Sequence, residues 1–173
     1  FATGAEKVQS FRRYAIRQGR EGRMLKGIDH RLNAEVLACL RAMGHGDMLI
    51  LADANFPAEA LARATVTGRP LRMENLGAAE AAAAILSVLP LDTFVDDFAG
   101  RMEVVGAPGE IPPVQKEVQA EIDRAEGRAR PMAGIERFAF YDLARQSFAV
   151  IQTGERRFYG CFMFRKGVIP PEV

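Results

Sequence analysis

Apolar residues recur three and four positions apart over AEVLACLRAM (34–43), with Val36, Leu37, Leu40 and Met43 on one face. That spacing predicts a helix capped by Asn33 and ended by Gly44. The period then changes: MLILA (48–52) is a short unbroken apolar run, read as a buried strand and stopped by Asn-Phe-Pro. A short helix near 58–63, a strand near 65–72 and an alanine-rich helix over 78–89 follow. RMEVV (101–105) is the next strand. Pro112 and Pro113 open a helix, VQKEVQAEIDRAE, that Gly127 terminates. FAFYDLARQS (138–147) reads as helix, FAVIQT (148–153) as strand, Gly154 and Glu155 as a turn, and CFMFRK (161–166) as the last strand. Helices alternating with strands imply a single-domain three-layer α/β/α sandwich around a central, mostly parallel or mixed sheet.

Composition narrows the function. A chain of 173 residues, 49% hydrophobic and 26% charged, suits one globular domain. Its formal net charge of +1 offers no basic field for a phosphate backbone, so no nucleic acid partner is expected. The longest apolar run, AAEAAAAILSVLPL (78–91), is interrupted by Glu80 and Pro90 and falls short of the ~20 residues of a membrane span, so no membrane partner is expected. Cys39 and Cys161 lie far apart without a CxxC or Cys/His cluster, which suits a reducing cytoplasm. Charge is concentrated at one end: residues 1–23 carry six cations against Glu6 and Glu21, a net of +4, leaving −3 on the remainder. That segment reads as a basic N-terminal extension, packed on the body or on a neighbouring subunit, with the folded domain at 24–173.

The stretch MGHGDMLILADANFP (43–57) carries the chemistry. A dinucleotide fingerprint places its glycines after a strand and before a helix; Gly44 and Gly46 follow a helix and precede a strand, and no GxxxxGK[ST] occurs. A metal site needs three or four converging ligands, and the only histidines are His30 and His45, without HExxH spacing. Acid/base chemistry at His45 remains, because an imidazole titrates near neutrality and flanking glycines admit a substrate. On this stretch alone, the alternative is that Gly44 merely caps the helix and His45 is a surface turn residue.

From Met24 onward, MLKGID, LNAEVLACLRAMGHGD, ADANFPA, IERFAFYDLA, IQTGERRFYG and RKGVIP resemble, in order over about 145 residues, the family of L-fucose mutarotases and D-ribose pyranases. The resemblance implies interconversion of the anomers of a free monosaccharide by opening and closing its hemiacetal ring, with no cofactor and no metal. It implies a catalytic role for His45 and substrate binding by Asp53, Arg137, Tyr159, Gly160 and Cys161. Tyr141 either supports the pocket or packs on its helix. Arg137 before FAFY matches the fucose branch, the ribose branch having a histidine there. Cys161 departs from the pattern: the family has asparagine two residues after this tyrosine, and a thiol is the weaker donor and acceptor.

Two other functions stay open: a D-ribose pyranase-type isomerase, and a non-catalytic sugar-binding accessory of a transport system. His45 precedes strand 48–52 and Asp53 follows it, so at about 3.3 Å per extended residue their Cα atoms are expected ~20 to 25 Å apart. One sugar cannot touch both. The expectation, in keeping with a family of closed subunit rings, is a homo-oligomer with sites at the subunit interfaces.

Overall fold

The structure, a computed structural model, describes residues 24–171. The expectation for the basic segment 1–23 lies outside the described residues. The chain divides after His30 into two units, and every element below belongs to the second, from Arg31 onward. Helix α1 (Ala34–Ala42) leads into β1 (Met48–Ala52), then α2 (Ala58–Ala62), β2 (Leu71–Met73), α3 (Ala78–Leu86), β3 (Ala99–Met102), α4 (Pro113–Glu126), β4 (Ala133–Ile135), α5 (Arg137–Gln146), β5 (Ala149–Thr153) and β6 (Phe162–Arg165).

These six strands form one sheet in the order β2-β5-β1-β6-β3-β4. β1 pairs parallel to β5, β5 to β2 and β3 to β4, whereas β6 runs antiparallel to both β1 and β3. The sheet is therefore mixed, with β6 reversed between two parallel groups.

Side chains alternate across a strand, so β1 serves two layers. Ile50 and Ala52 join Phe56, Leu61, Phe140 and Ala144 in a core beneath α2 and α5, which pack on each other. Leu49 and Leu51, equally buried, face the opposite layer, where α3 packs on β1 and against α4. Burial on both faces explains why the central strands read as apolar runs rather than as alternating ones.

Local chemistry sets the helix ends. Asn33 accepts from the Val36 N–H, as expected of an N-cap, and Gly127 ends α4 in the left-handed conformation at φ 67°. Glu136 caps α5 by accepting from the Phe138 and Ala139 N–H groups, which fixes Arg137 at the first helical position.

Beyond shifts of a single residue at several ends, four boundaries differ from the sequence reading for a local reason. The cap of α1 is Met43, not Gly44; the Gly44 N–H donates to the Asp47 carboxylate at 2.7 Å, and Gly46 takes the left-handed conformation at φ 84°. Of the strand expected at 65–72 only Leu71 onward pairs, because the Thr65 hydroxyl donates to the Ala62 carbonyl and the Thr67 hydroxyl to the Arg69 carbonyl, holding turns. The strand at 101–105 instead occupies Ala99–Met102, since the chain reverses at Gly106 (φ 78°) and Val104 bridges back to Ala107. The alanine-rich helix ends at Leu86, short of the expected 89, as Pro90 approaches. Strand β4, with only three residues at the sheet edge, had no apolar pattern to announce it.

Candidate active site

In an open sheet of parallel strands, ligands bind beyond the carboxyl ends, where the connecting loops diverge. Here the carboxyl ends of β1 and β3 meet the start of the reversed β6, which brings Asp53, Met102 and Cys161 together. Arg137 and Tyr141 enter from α5. A cavity of about 420 Å³ results, lined by Asp53, Asn55, Phe56, Met102, Arg137, Tyr141, Phe158, Tyr159 and Cys161.

Asp53 is buried at its base. One carboxylate oxygen accepts from the Asn55 N–H at 2.9 Å; the other accepts from the Gly160 N–H at 3.2 Å and from the Cys161 thiol at 3.4 Å. Burial pushes Asp53 above the usual carboxylate range, against the opposing pull of these donors. Burial, reinforced by the charge of Asp53, raises Cys161 well above an ordinary thiol, so it stays protonated and donates. Gly160 lines nothing itself but permits the approach: a Cβ there would lie 2.9 Å from Glu155 Cγ and 3.3 Å from Asp53 Cβ. Gln152, which the sequence reading passed over, braces the turn by donating to the carbonyls of Asp53, Ala54 and Phe56.

Arg137 brings a guanidinium whose buried Nε has no hydrogen-bond partner among the described residues, while its head lies 4.8 Å from the Phe138 ring centroid. A buried donor without a protein partner in a cavity wall suits an oxygen-rich ligand. Tyr141 lines the cavity and packs edge-on against Phe56 and against Phe138 of its own helix. Tyr159 has φ 62°, the left-handed region, unlike every other non-glycine residue described. Its phenol oxygen accepts from the Val105 N–H at 3.3 Å, which leaves the phenol proton for donation elsewhere.

His45 is not among the residues lining this cavity. It sits at the other end of β1, where its Nε2 lies 3.0 Å from the Asp92 carboxylate and its ring meets Phe94 edge-on. Asp92 is buried and is held in turn by the Phe94 N–H, whereas the imidazole is 47% exposed. A carboxylate only accepts, so Nε2 is the donor in this contact and Asp92 fixes the orientation of the imidazole. The structure thus joins Asp53, Arg137, Tyr141, Tyr159 and Cys161, with Gly160 behind them, and leaves His45 apart in a dyad with Asp92. No local signal in LDTF (91–94) marked Asp92 as a partner of His45.

The loop carrying Tyr159 is anchored by Glu155. Its carboxylate accepts from the backbone and guanidinium of Arg157 and from the Ala78 N–H at the start of α3, while Arg157 also grips Glu117 on α4 at 2.7 and 2.8 Å. Arg157 holds Glu155 at about 2, despite burial. Because the folded value lies below the ordinary one, this stabilisation is complete above about pH 4.5 and is lost as pH falls toward 2. Glu155→Gln should therefore melt lower than the parent at pH 7 but lose less stability between pH 4.5 and 2.5, followed by circular dichroism. Parallel pH profiles would refute this role for Glu155.

An open α/β sheet with an aromatic-rich cavity and a few convergent polar groups at its carboxyl edge is the architecture of a small-molecule-binding α/β protein. Residues 26–169 match the RbsD / FucU transport protein family, and the chain belongs to it. It is 42% identical over 148 residues to the fucose mutarotase of Homo sapiens, covering 84% of this chain and 94% of that protein. Against the L-fucose mutarotase of Actinobacillus pleuropneumoniae serotype 5b it is 35% identical over 147 residues, covering 85% and 99%. Among solved structures, the fucose mutarotase of Streptococcus pneumoniae in complex with L-fucose superposes with a TM-score of 0.76 at 29% identity, covering 84% of this chain and all of that one. FucU from Bifidobacterium longum gives 0.76 at 39% identity, covering 83% and 99%.

Proposed function

We propose that this chain is a sugar mutarotase that interconverts the α and β anomers of L-fucose or a close relative. The observation that carries the reading is the cavity in which Asp53, Arg137 and Tyr159 converge, in a chain similar over most of its length to fucose mutarotases. Ring opening needs two proton transfers: a base takes the proton of the anomeric hydroxyl, and an acid protonates the ring oxygen as the bond from that oxygen to C1 breaks and the carbonyl forms. Rotation about C1–C2 presents the other carbonyl face, and the reverse transfers close the ring. Asp53 accepts from sugar hydroxyls, Arg137 donates to sugar oxygens, Tyr159 relays a proton through its phenol, and His45, backed by Asp92, is the second acid/base group. No cofactor enters the scheme.

His45 reaches this chemistry from a neighbouring copy. Five strand residues separate it from the cavity, roughly 15 Å of extended chain. Both ends of that strand also expose large apolar side chains: Phe94 beside His45 is 73% exposed, Phe158 in the cavity wall is 76% exposed, and Phe138, packed on Arg137 and Tyr141, is 62% exposed. Joining the two ends between subunits would cover these rings and complete the site. The active form is then a homo-oligomer, a ring closed by the same contact repeated, acting in the cytoplasm.

The test is saturation-transfer NMR on L-fucose, galactose, ribose and rhamnose. Anomer exchange of L-fucose should accelerate with added protein and be unaffected by EDTA. Exchange no faster than in buffer would remove the reading, as would activity that EDTA abolishes and a divalent ion restores. Faster exchange between the pyranose and furanose forms of ribose, with L-fucose unaffected, would assign the chain to the pyranase reaction instead.

A further inference from the structure

Helix α4 carries one fully buried polar side chain, Gln115, and its carboxamide is spent on the wall of the cavity. Its Nε2 donates to the carbonyl of Met102 at 2.7 Å and to that of Tyr159 at 3.0 Å, two residues that line the site. Its Oε1 accepts from Arg101 Nη1 at 3.3 Å, and Arg101, itself buried, donates through Nη2 to the Pro108 carbonyl at 3.1 Å. Turning the amide over would set its oxygen against two carbonyls and its NH₂ against a guanidinium, so Arg101 admits one orientation only.

Tyr159 needs such a hold. A bulky side chain at φ 62° is disfavoured by contact of its Cβ with the backbone, and persists only where the surroundings over-determine it. Here the carbonyl is pinned by Gln115, the phenol by the Val105 N–H, and the next amide by Asp53. We propose that Gln115 is a positioning residue that holds the Tyr159 phenol over the cavity, with Arg101 fixing the amide. This rests on the mutarotase reading given above. Without the carboxamide, the Tyr159 carbonyl is left unpaired, residue 159 relaxes out of the left-handed region, and its phenol moves away from the sugar.

The experiment compares Gln115→Met, similar in length but without the donor, with Gln119→Met on the same helix. Gln119 also makes three hydrogen bonds, to Asp123, Arg130 and the Met132 N–H, and does not line the cavity. Both variants should melt below the parent. Gln115→Met should also lower kcat for L-fucose exchange by about tenfold or more, since a misplaced proton-transfer group loses rate faster than affinity, with KM changing far less. Gln119→Met should keep kcat. In a Tyr159→Phe background, Gln115→Met should produce no further loss of kcat, because the phenol through which it acts is gone.

Equal loss of kcat in both backgrounds, or equal slowing by Gln119→Met, would overturn the proposal. Tyrosine ring resonances in protein carrying ¹³C-labelled tyrosine give a readout independent of activity: those of Tyr159 should shift in Gln115→Met and stay in Gln119→Met. Should the parent protein exchange no sugar, the mutarotase reading fails while the Tyr159 shift still decides the positioning. An unmoved Tyr159 ring overturns it.

Discussion

Replacing His45 with alanine is expected to slow anomer exchange of L-fucose by about 10² to 10⁴, the usual worth of a positioned acid/base group. The imidazole is half exposed and, among the described residues, its side-chain polar contact is the Asp92 carboxylate at 3.0 Å, so its removal costs the fold little. Sugar affinity should survive, because Asp53, Arg137 and Tyr159 stay in place. Exchange rates from NMR saturation transfer, set beside calorimetric affinity, separate the two effects. A rate unchanged in His45→Ala would assign the imidazole to the turn alone.

The second expected result is recovery of activity from two dead proteins. His45→Ala lacks the proton-transfer group, and Asp53→Ala lacks the carboxylate that receives the Gly160 N–H and the Cys161 thiol at the cavity floor. Each alone should be inactive. Unfolded together and reassembled, some contacts pair an intact His45 from one chain with an intact cavity from the other, so part of the parent activity returns. A monomer by light scattering, or mixed oligomers without recovered activity, would place the whole reaction in one chain and remove the proposed shared site.

Much of the local architecture was legible in the sequence. Strand 48–52 was read with its observed bounds, and the α4 stop at Gly127 and the Asn33 cap followed from residues whose backbone preferences act within a turn or two. Where the reading failed, local chemistry misled it: Thr-Val-Thr (65–67) has the β-branched composition of a strand, yet its hydroxyls bond neighbouring carbonyls and hold turns. Five side chains expected to bind the sugar, Asp53, Arg137, Tyr141, Tyr159 and Cys161, line one cavity, since Asp53, Tyr159 and Cys161 flank strands at the same sheet edge and Arg137 and Tyr141 lie four apart on the face of α5 turned to it.

The sequence by itself determined where the helices and the apolar central strands begin, to within a residue, because caps, proline, glycine and apolar period act between neighbours in the chain. Only the tertiary structure decided that β6 runs backwards between two parallel groups, and with it which side chains meet. Asp92 finds His45 across 47 positions, Gln152 braces the Asp53 turn across 99, and Gln115 clamps Tyr159 across 44. No residue type or spacing encodes such meetings. They follow from the strand order that buries both faces of the sheet at once, and the polar groups carried inside by that order must bond whatever lies beside them.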